Sequence, residues 1–325
     1  MTGAGLAVVG ESLVDVIIDP GGGRVVRPGG SPMNVAIAAA RLGMRASLAT
    51  AIGDDEHGAL VREHIRRDGV TLIECGRQDR ATNEAIASLA PDGSASYAFR
   101  LGNTVTDIDR ALTTAGVDVD HIHTGSLTAA TDAEWAEALA VVRAWRPRAT
   151  VSYDPNCRPD IGVTRTEYRE RVSAFVAEAN IVKASDEDLS WLFPGEDHDA
   201  VAARWLAAGP QLVVITRGDA GPVGYGSGLR VARPASRVIV ADTVGAGDSF
   251  MAAMLAWHDD HGLLGENARR QLDAEELGAM LDFASVAAAI TCTRSGADSP
   301  RRDELRERGE AVQHAPGFAP HSAKA

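Results

Sequence analysis

Long apolar runs are missing from this 325-residue chain. No stretch of about 18 consecutive apolar residues occurs, and a single helix across a bilayer needs that length. The N-terminus, Met1-Thr2-Gly3-Ala4-Gly5, lacks a charged segment followed by an apolar one, so no secretory signal is expected there. Cysteine is scarce: Cys75, Cys157 and Cys292 show neither pairing nor metal-ligand spacing. They read as free thiols in a reducing compartment, and the cytoplasm is the expected location. A basic excess is absent too. The net charge of −13 argues against a nucleic-acid partner, because a phosphate backbone demands a basic face. Aromatic residues make up 5% of the chain while hydrophobic residues reach 45%, the balance of alanine- and valine-rich helices packed on a parallel sheet.

What is present alternates. Leu6–Gly10, Ser12–Ile18, Ser47–Gly53, His121–Gly125, Ala149–Asp154, Ile181–Ala184 and Leu212–Thr216 are short apolar runs of the kind that form buried strands. Helical segments are expected at Val35–Leu42, 56–68, Ala133–Trp145, 246–258, 273–293 and 301–309, several closed by glycine. Repeated strand–helix units predict an α/β fold, a mostly parallel sheet with helices on both faces. Between Thr82 and Arg100 the period changes to two around Pro91-Asp92-Gly93, which predicts a hairpin. That hairpin could pair with residues 13–27 and cover a site. One domain over 1–309 with a small lid, formed by about 13–27 and 82–102, is the expected organisation, and the 310–325 tail is expected to be mobile.

In doubly wound sheets, ligands bind beyond the carboxyl ends of the strands. Six polar or glycine-rich turns fall there: Asp15; Gly29-Gly30 with Asn34; Asp154-Pro155-Asn156-Cys157-Arg158; Ser185-Asp186-Glu187-Asp188; Thr216-Arg217-Gly218; and residues 242–248. The last, Asp242-Thr243-Val244-Gly245-Ala246-Gly247-Asp248, leads into an apolar helix. Unpaired N–H groups at a helix start can cradle an anion. A carboxylate in the same turn could take a proton from a neighbouring hydroxyl. Cradle and base together are what phosphoryl transfer to an alcohol requires. Asp15 is a lone acid in an apolar strand, where an unpaired carboxylate is costly, so it reads either as salt-bridged or as a ligand group.

These segments carry a resemblance. Gly29-Gly30-Ser31-Pro32-Met33-Asn34-Val35-Ala36, with Ala40-Arg41-Leu42-Gly43 behind it, resembles the first signature of the ribokinase-like (PfkB-type) sugar kinases, and Asp242–Phe250 resembles the second. Thr216-Arg217-Gly218-Asp219-Ala220-Gly221 matches the nucleotide-loop pattern and Arg294-Ser295-Gly296-Ala297 the C-terminal loop. The matches run in order over residues 6 to about 305. No Gly-x-x-x-x-Gly-Lys-Ser/Thr is present, so the chain is not a P-loop kinase. The resemblance implies a three-layer αβα sandwich with a mostly parallel sheet and a small antiparallel β lid.

It also implies roles. Asp248 would be the base, and the N–H groups of Gly245, Ala246 and Gly247 the anion hole. Asp15, Gly30 and Asn34 would hold sugar hydroxyls. Lys183, Ser185, Thr216, Gly218, Gly221, Gly247 and Ser285 would contact ATP. Ser185-Asp186-Glu187-Asp188 departs from the family's Asn-x-x-Glu, leaving open which of Glu187 and Asp188 serves Mg²⁺. A monovalent cation, K⁺, would sit among Asp242, Val244, Thr291 and Gly296.

Ser31-Pro32, Tyr153–Arg158 and Phe99-Arg100 resemble fructokinases, which points to D-fructose and fructose 6-phosphate. The same features recur in 2-keto-3-deoxygluconate kinases, and ribokinase is a further alternative. Arg100 and Arg158 could pair a substrate carboxylate or brace the lid and a loop. A non-catalytic sugar- or nucleotide-binding regulator is the reading of another class. The partners expected are a small sugar and ATP, with no nucleic acid or membrane, and a homodimer through the lid.

Overall fold

The computed structural model describes residues 3–89, 95–266 and 270–313. The chain opens with β1 (Gly5–Val9), β2 (Leu13–Ile18) and β3 (Arg24–Gly29), followed by α1 (Ser31–Arg41), β4 (Arg45–Thr50), α2 (Glu56–Arg67) and β5 (Thr71–Glu74). The hairpin strands are β6 (Asn83–Leu89) and β7 (Ala95–Arg100). Next come α3 (Ile108–Ala115), β8 (His121–Gly125), α4 (Asp132–Trp145), β9 (Thr150–Asp154), α5 (Arg165–Glu178), β10 (Ile181–Ser185), α6 (Asp186–Leu192) and α7 (His198–Ala208). The last third holds β11 (Leu212–Thr216), β12 (Val223–Gly226), β13 (Leu229–Ala232), α8 (Ala246–Asp260), α9 (Ala274–Cys292) and α10 (Arg302–Gln313).

Nine strands form one sheet in the order β13-β12-β11-β10-β9-β8-β1-β4-β5. Every pairing from β11 to β5 is parallel, and only β12 and β13 run antiparallel at one edge. β1 shows why its sequence is uninterruptedly apolar: Leu6 and Val8 belong to one core cluster and Ala7 and Val9 to another, so both faces are buried. α8 is buried along Ser249–His258 because it packs against both α1 and α9. This is the α/β sandwich the sequence implies.

A second sheet, β3-β2-β6-β7, joins the hairpin to residues 13–29 as expected, but it is mixed rather than antiparallel: β6 pairs with β2 in parallel, and β2–β3 and β6–β7 are antiparallel. The expected turn at 91–93 lies outside the described residues, as do residues 314–325 of the expected tail; residues 310–313 continue α10. The strands β5, β12 and β13 and the helix α3 escape the sequence reading because each is only four to eight residues long. α1 begins at Ser31 rather than Val35: Gly30 at φ 114° makes the turn, and Pro32 is tolerated in the first turn of a helix.

Candidate active site

One cavity of about 680 Å³ lies over the carboxyl ends of β1, β9, β10 and β11 and beneath the small sheet. Its walls bring together Asp15, Gly30, Asn34, Arg158, Lys183, Ser185, Glu187, Asp188, Thr216, Gly218, Val244, Gly245, Gly247 and Asp248 of the sequence-derived set.

Gly245 caps α8 at φ 75°, where a Cβ would lie 2.5 Å from Cβ of Ala297, so no larger residue fits this left-handed position. The loop is pinned from both sides by Asp242, whose Oδ1 accepts from the Val244 N–H (3.1 Å) and Oδ2 from the Gly296 N–H (2.8 Å). Burial would raise the Asp242 pKa, but these amides, that of Thr243 and the charge of Arg27 together hold it below the ordinary aspartate value. Asp248, in the first turn, accepts from Ser31 Oγ (2.7 Å) and Asn34 Nδ2 (2.8 Å), both on α1. The two signatures therefore meet through one carboxylate. Ser31 is the partner the sequence reading missed; a serine directly after Gly29-Gly30 was its only trace.

On the acceptor side, Gly29 and Gly30 are required by close approach. A Cβ on Gly29 would fall 2.1 Å from Asp15 Oδ2, and one on Gly30 would fall 2.8 Å from the Glu11 carbonyl oxygen. Burial pushes the Asp15 carboxyl up to about 6, with Arg158 opposing and Asp248 adding to the shift. Arg158 spends Nη1 on its own loop, donating to Asn156 O, Asn156 Oδ1 and Cys157 O.

At the floor, Lys183 Nζ lies 2.7 Å from Asp154 Oδ2, both side chains buried, and 3.0 Å from where a Cβ of Gly247 would stand. Burial alone would lower the Lys183 pKa, but Asp154, Asp188 and Asp248 raise it above the usual lysine range, so the ammonium is charged. The α6 start separates the two acids left open above. Asp188 is consumed in a capping box, accepting from Ser185 N (2.9 Å), Ser185 Oγ (2.7 Å) and Cys157 N (2.7 Å). Glu187 is exposed and lines the cavity. Among the described residues no cluster of three or more His, Cys, Asp or Glu side chains forms a metal cage. The acidic edge does suit a divalent cation held partly by phosphate and water, the usual manner for Mg²⁺.

Several sequence-derived positions stand elsewhere. Arg100 takes the lid-bracing alternative: as the residue after Phe99 it lies on the other face of the small sheet, exposed and paired with Glu84 at 3.0 Å. Ser285 is buried inside α9, donating to Leu281 O. Gly221 is needed by its own turn, since a Cβ would meet Arg233 O at 2.1 Å, and it does not line the cavity. The Ala246 N–H donates to Thr243 O (3.2 Å), which withdraws it from the anion hole. Thr291 donates its hydroxyl to Ala287 O (3.0 Å) within α9 and shares a hydrogen bond with Ser249 Oγ (2.8 Å) on α8.

The pfkB family carbohydrate kinase model matches residues 4–304. The chain belongs to the pfkB family of carbohydrate kinases. A fructokinase of Rhizobium leguminosarum bv. trifolii is 38% identical over 255 residues, covering 77% of either chain. Fructokinase-1 of Oryza sativa subsp. japonica is 32% identical over 308 residues, covering 89% of this chain and 91% of that one. In fold, the crystal structure of a fructokinase with bound ATP from Xylella fastidiosa superposes with a TM-score of 0.83 over 95% of this kinase and 99% of that chain, at 24% identity. This pfkB kinase thus has the ribokinase-like architecture, and none of the helices formed by its described residues is long and apolar enough to cross a membrane.

Proposed function

We propose that this sugar kinase transfers the γ-phosphoryl group of ATP to a hydroxyl of D-fructose, giving fructose 6-phosphate. The observation that carries the reading is Asp248: its carboxylate stands in the first turn of α8, beside the cradle, and is aimed by Ser31 and Asn34 toward the Asp15 side of the cavity. Asp248 takes the hydroxyl proton, Gly245 and Gly247 offer backbone N–H groups to the transferring group, and the Lys183–Asp154 ion pair forms the floor beneath Gly247. Asp15, Gly30 and Asn34 hold the sugar, while Thr216, Gly218 and Ser185 border the nucleotide. Glu187 is the carboxylate free to serve Mg²⁺, which when bound neutralises charge on the phosphates.

An uncharged sugar is favoured over a sugar acid by the cavity itself. Arg158 and Lys183 are its only basic linings among the described residues, Lys183 is already paired, and acidic side chains outnumber them. ATP as donor is supported by the ATP complexes of related kinases, among them an uncharacterized sugar kinase from Pyrococcus horikoshii at 26% identity. A K⁺ site on the carbonyls near Asp242, Val244, Thr291 and Gly296 belongs to the same reading, although the Thr291 and Gly296 carbonyls already accept from Arg294 N and Asp298 N. So do a cytoplasmic location, a domain whose small sheet acts as a lid that excludes water, and a homodimer through that lid. A monomer by light scattering at micromolar concentration removes the last part.

The test is an ADP-release assay over fructose, ribose, 2-keto-3-deoxygluconate and nucleosides. Turnover of fructose ahead of the others is expected. Silence across the panel from protein that still binds ATP refutes the kinase role and leaves the regulator. Asp248→Asn should lower kcat by roughly 10²–10⁴, the usual worth of a positioned base, with sugar binding largely kept. A mild effect removes Asp248 from that role.

A further inference from the structure

Glu11 follows β1 at its carboxyl end and lines the cavity, yet it is only 2% exposed and its Oε2 has no hydrogen-bond partner among the described residues. A buried carboxyl oxygen without a close partner costs folding free energy, and one that lines a cavity is placed to recover it from a ligand hydroxyl. Beside it stands the Ser126 hydroxyl, which acts on the Glu11 carboxyl but makes no close hydrogen bond among the described residues, on a residue held at φ 55°. Asn156, another cavity residue, is held at φ 35°. Ser126 beside Glu11 and Asn156 in the same cavity are non-glycine residues at positive φ, strain of the kind that collects at ligand sites. The charged groups that face Glu11 are Glu134 from α4 and Arg158 from the loop after β9. Arg158 also acts on Asp15, which in turn senses Asp248. Glu11, Asp15, Arg158 and Asp248 all line this one cavity.

We propose that Glu11 is a sugar-binding residue whose carboxyl hydrogen-bonds a substrate hydroxyl in the cavity it shares with Asp15 and Asp248. The inference rests on the sugar-kinase reading above. Burial, reinforced by Glu134, pushes the Glu11 carboxyl up to about 8 against its own backbone N–H, the Ser126 hydroxyl and Arg158, so at neutral pH it is a neutral acid. A neutral carboxyl both donates and accepts, which matches a hydroxyl better than a third carboxylate beside Asp15 and Asp248 would.

The experiment measures kcat and KM for fructose and for ATP in the full chain and in Glu11→Gln, Glu11→Ala and Glu134→Gln, from pH 6 to 9.5. The amide of Glu11→Gln mimics the protonated acid, so kcat/KM for fructose should stay within about threefold. Glu11→Ala should raise the fructose KM at least tenfold with the ATP KM unchanged, because a polar site loses its partner. Wild-type kcat/KM for fructose should fall above about pH 8; that limb should vanish in Glu11→Gln and persist in Glu134→Gln. If Glu11→Ala does not fold, Glu11→Asp, one methylene shorter, carries the same expectation. A fructose KM within twofold of wild type in the truncated variant, or an equal loss for ATP, overturns the proposal while leaving the kinase reading intact. A wild-type chain that phosphorylates no sugar overturns both.

Discussion

Two glycines two residues apart in the phosphate-cradle loop should respond to alanine in opposite ways. Gly247 sits inside the first turn of α8 with ordinary helical backbone, so alanine gains up to about 0.5–1 kcal/mol of helix propensity. Its new Cβ would stand 3.0 Å from Lys183 Nζ, a contact relieved when the ammonium yields by a few tenths of an ångström. The net effect on stability is within about 1 kcal/mol, or roughly 1–2 °C in the melting temperature of a chain this long. Activity should move much further. The methyl group enters the cradle and displaces the positive charge at its floor, and misplacement on this scale costs on the order of tenfold to 10² in kcat.

Gly245→Ala is the contrast. It forces a side chain into the left-handed region, about 1–2 kcal/mol, and drives Cβ to 2.5 Å from Ala297 Cβ and 2.7 Å from Ala297 Cα, where backbone must move. A loss of roughly 2–4 kcal/mol and a melting temperature several degrees lower are expected. Thermal melts and ADP-release kinetics on both variants decide the matter. Full kcat in Gly247→Ala would refute the placement of Lys183 at the transfer point, and equal destabilisation of the two variants would refute the contact geometry.

Lys183→Met strands Asp154 in the core and should cost about 3–5 kcal/mol in urea unfolding, most of it recovered by adding Asp154→Asn; equal stability of single and double variants would show that the pair is not buried as a charge pair. Asp15, pushed up to about 6, should make sugar kcat/KM fall as pH drops below 6, by up to about tenfold per unit, and Asp15→Asn should remove that limb. The same raised pKa acts on stability with the opposite sign: its contribution is full below the ordinary value of 3.8 and is lost as pH rises through about 6. Asp55 caps α2 through the Gly58 N–H (2.7 Å) and also accepts from Thr82 N (2.8 Å) and Oγ1 (2.7 Å), so Asp55→Ala should cost about 1–2 kcal/mol in a thermal melt, with Asp55→Ser recovering the cap.

The parts of this protein legible in the sequence are those where one residue type is forced locally. The β1, β8 and β11 runs are apolar because both faces of the sheet are covered, and their ends are read to within a residue. Gly29, Gly30 and Gly245 are required by contacts with Asp15, Glu11 and Ala297, and they stand out as a Gly-Gly pair and a Gly-Ala-Gly run. Arg100 was not legible. Strand alternation sends Phe99 and Arg100 to opposite faces, but which face meets the cavity depends on how the small sheet docks. Ser185-Asp186-Glu187-Asp188 was ambiguous for a related reason: a capping box and a metal site ask for the same acids, and the bond from Cys157 N, in the loop after β9, that occupies the other Asp188 oxygen has no local trace.

The cradle shows what register adds. Asp154 ends β9 and Lys183 sits in the middle of β10, and the sequence shows two isolated charges. The parallel pairing of β9 with β10, Ser152 opposite Ile181 and Tyr153 opposite Val182, brings them side by side. Once paired, Lys183 no longer offers an uncompensated charge to an incoming phosphate. Asp188 and Asp248 still act on the same ammonium, so the local balance beneath Gly247 is negative before any nucleotide arrives. A triphosphate brings further negative charge to that point, and the remaining basic lining, Arg158, stands on the sugar side. The transferring group must therefore bring its own cation, which the exposed Glu187 at the cavity wall is free to meet. Activity should accordingly collapse in EDTA and return with Mg²⁺, while sugar binding at Asp15, measured by calorimetry, survives the chelator; undiminished turnover in EDTA would contradict this charge balance.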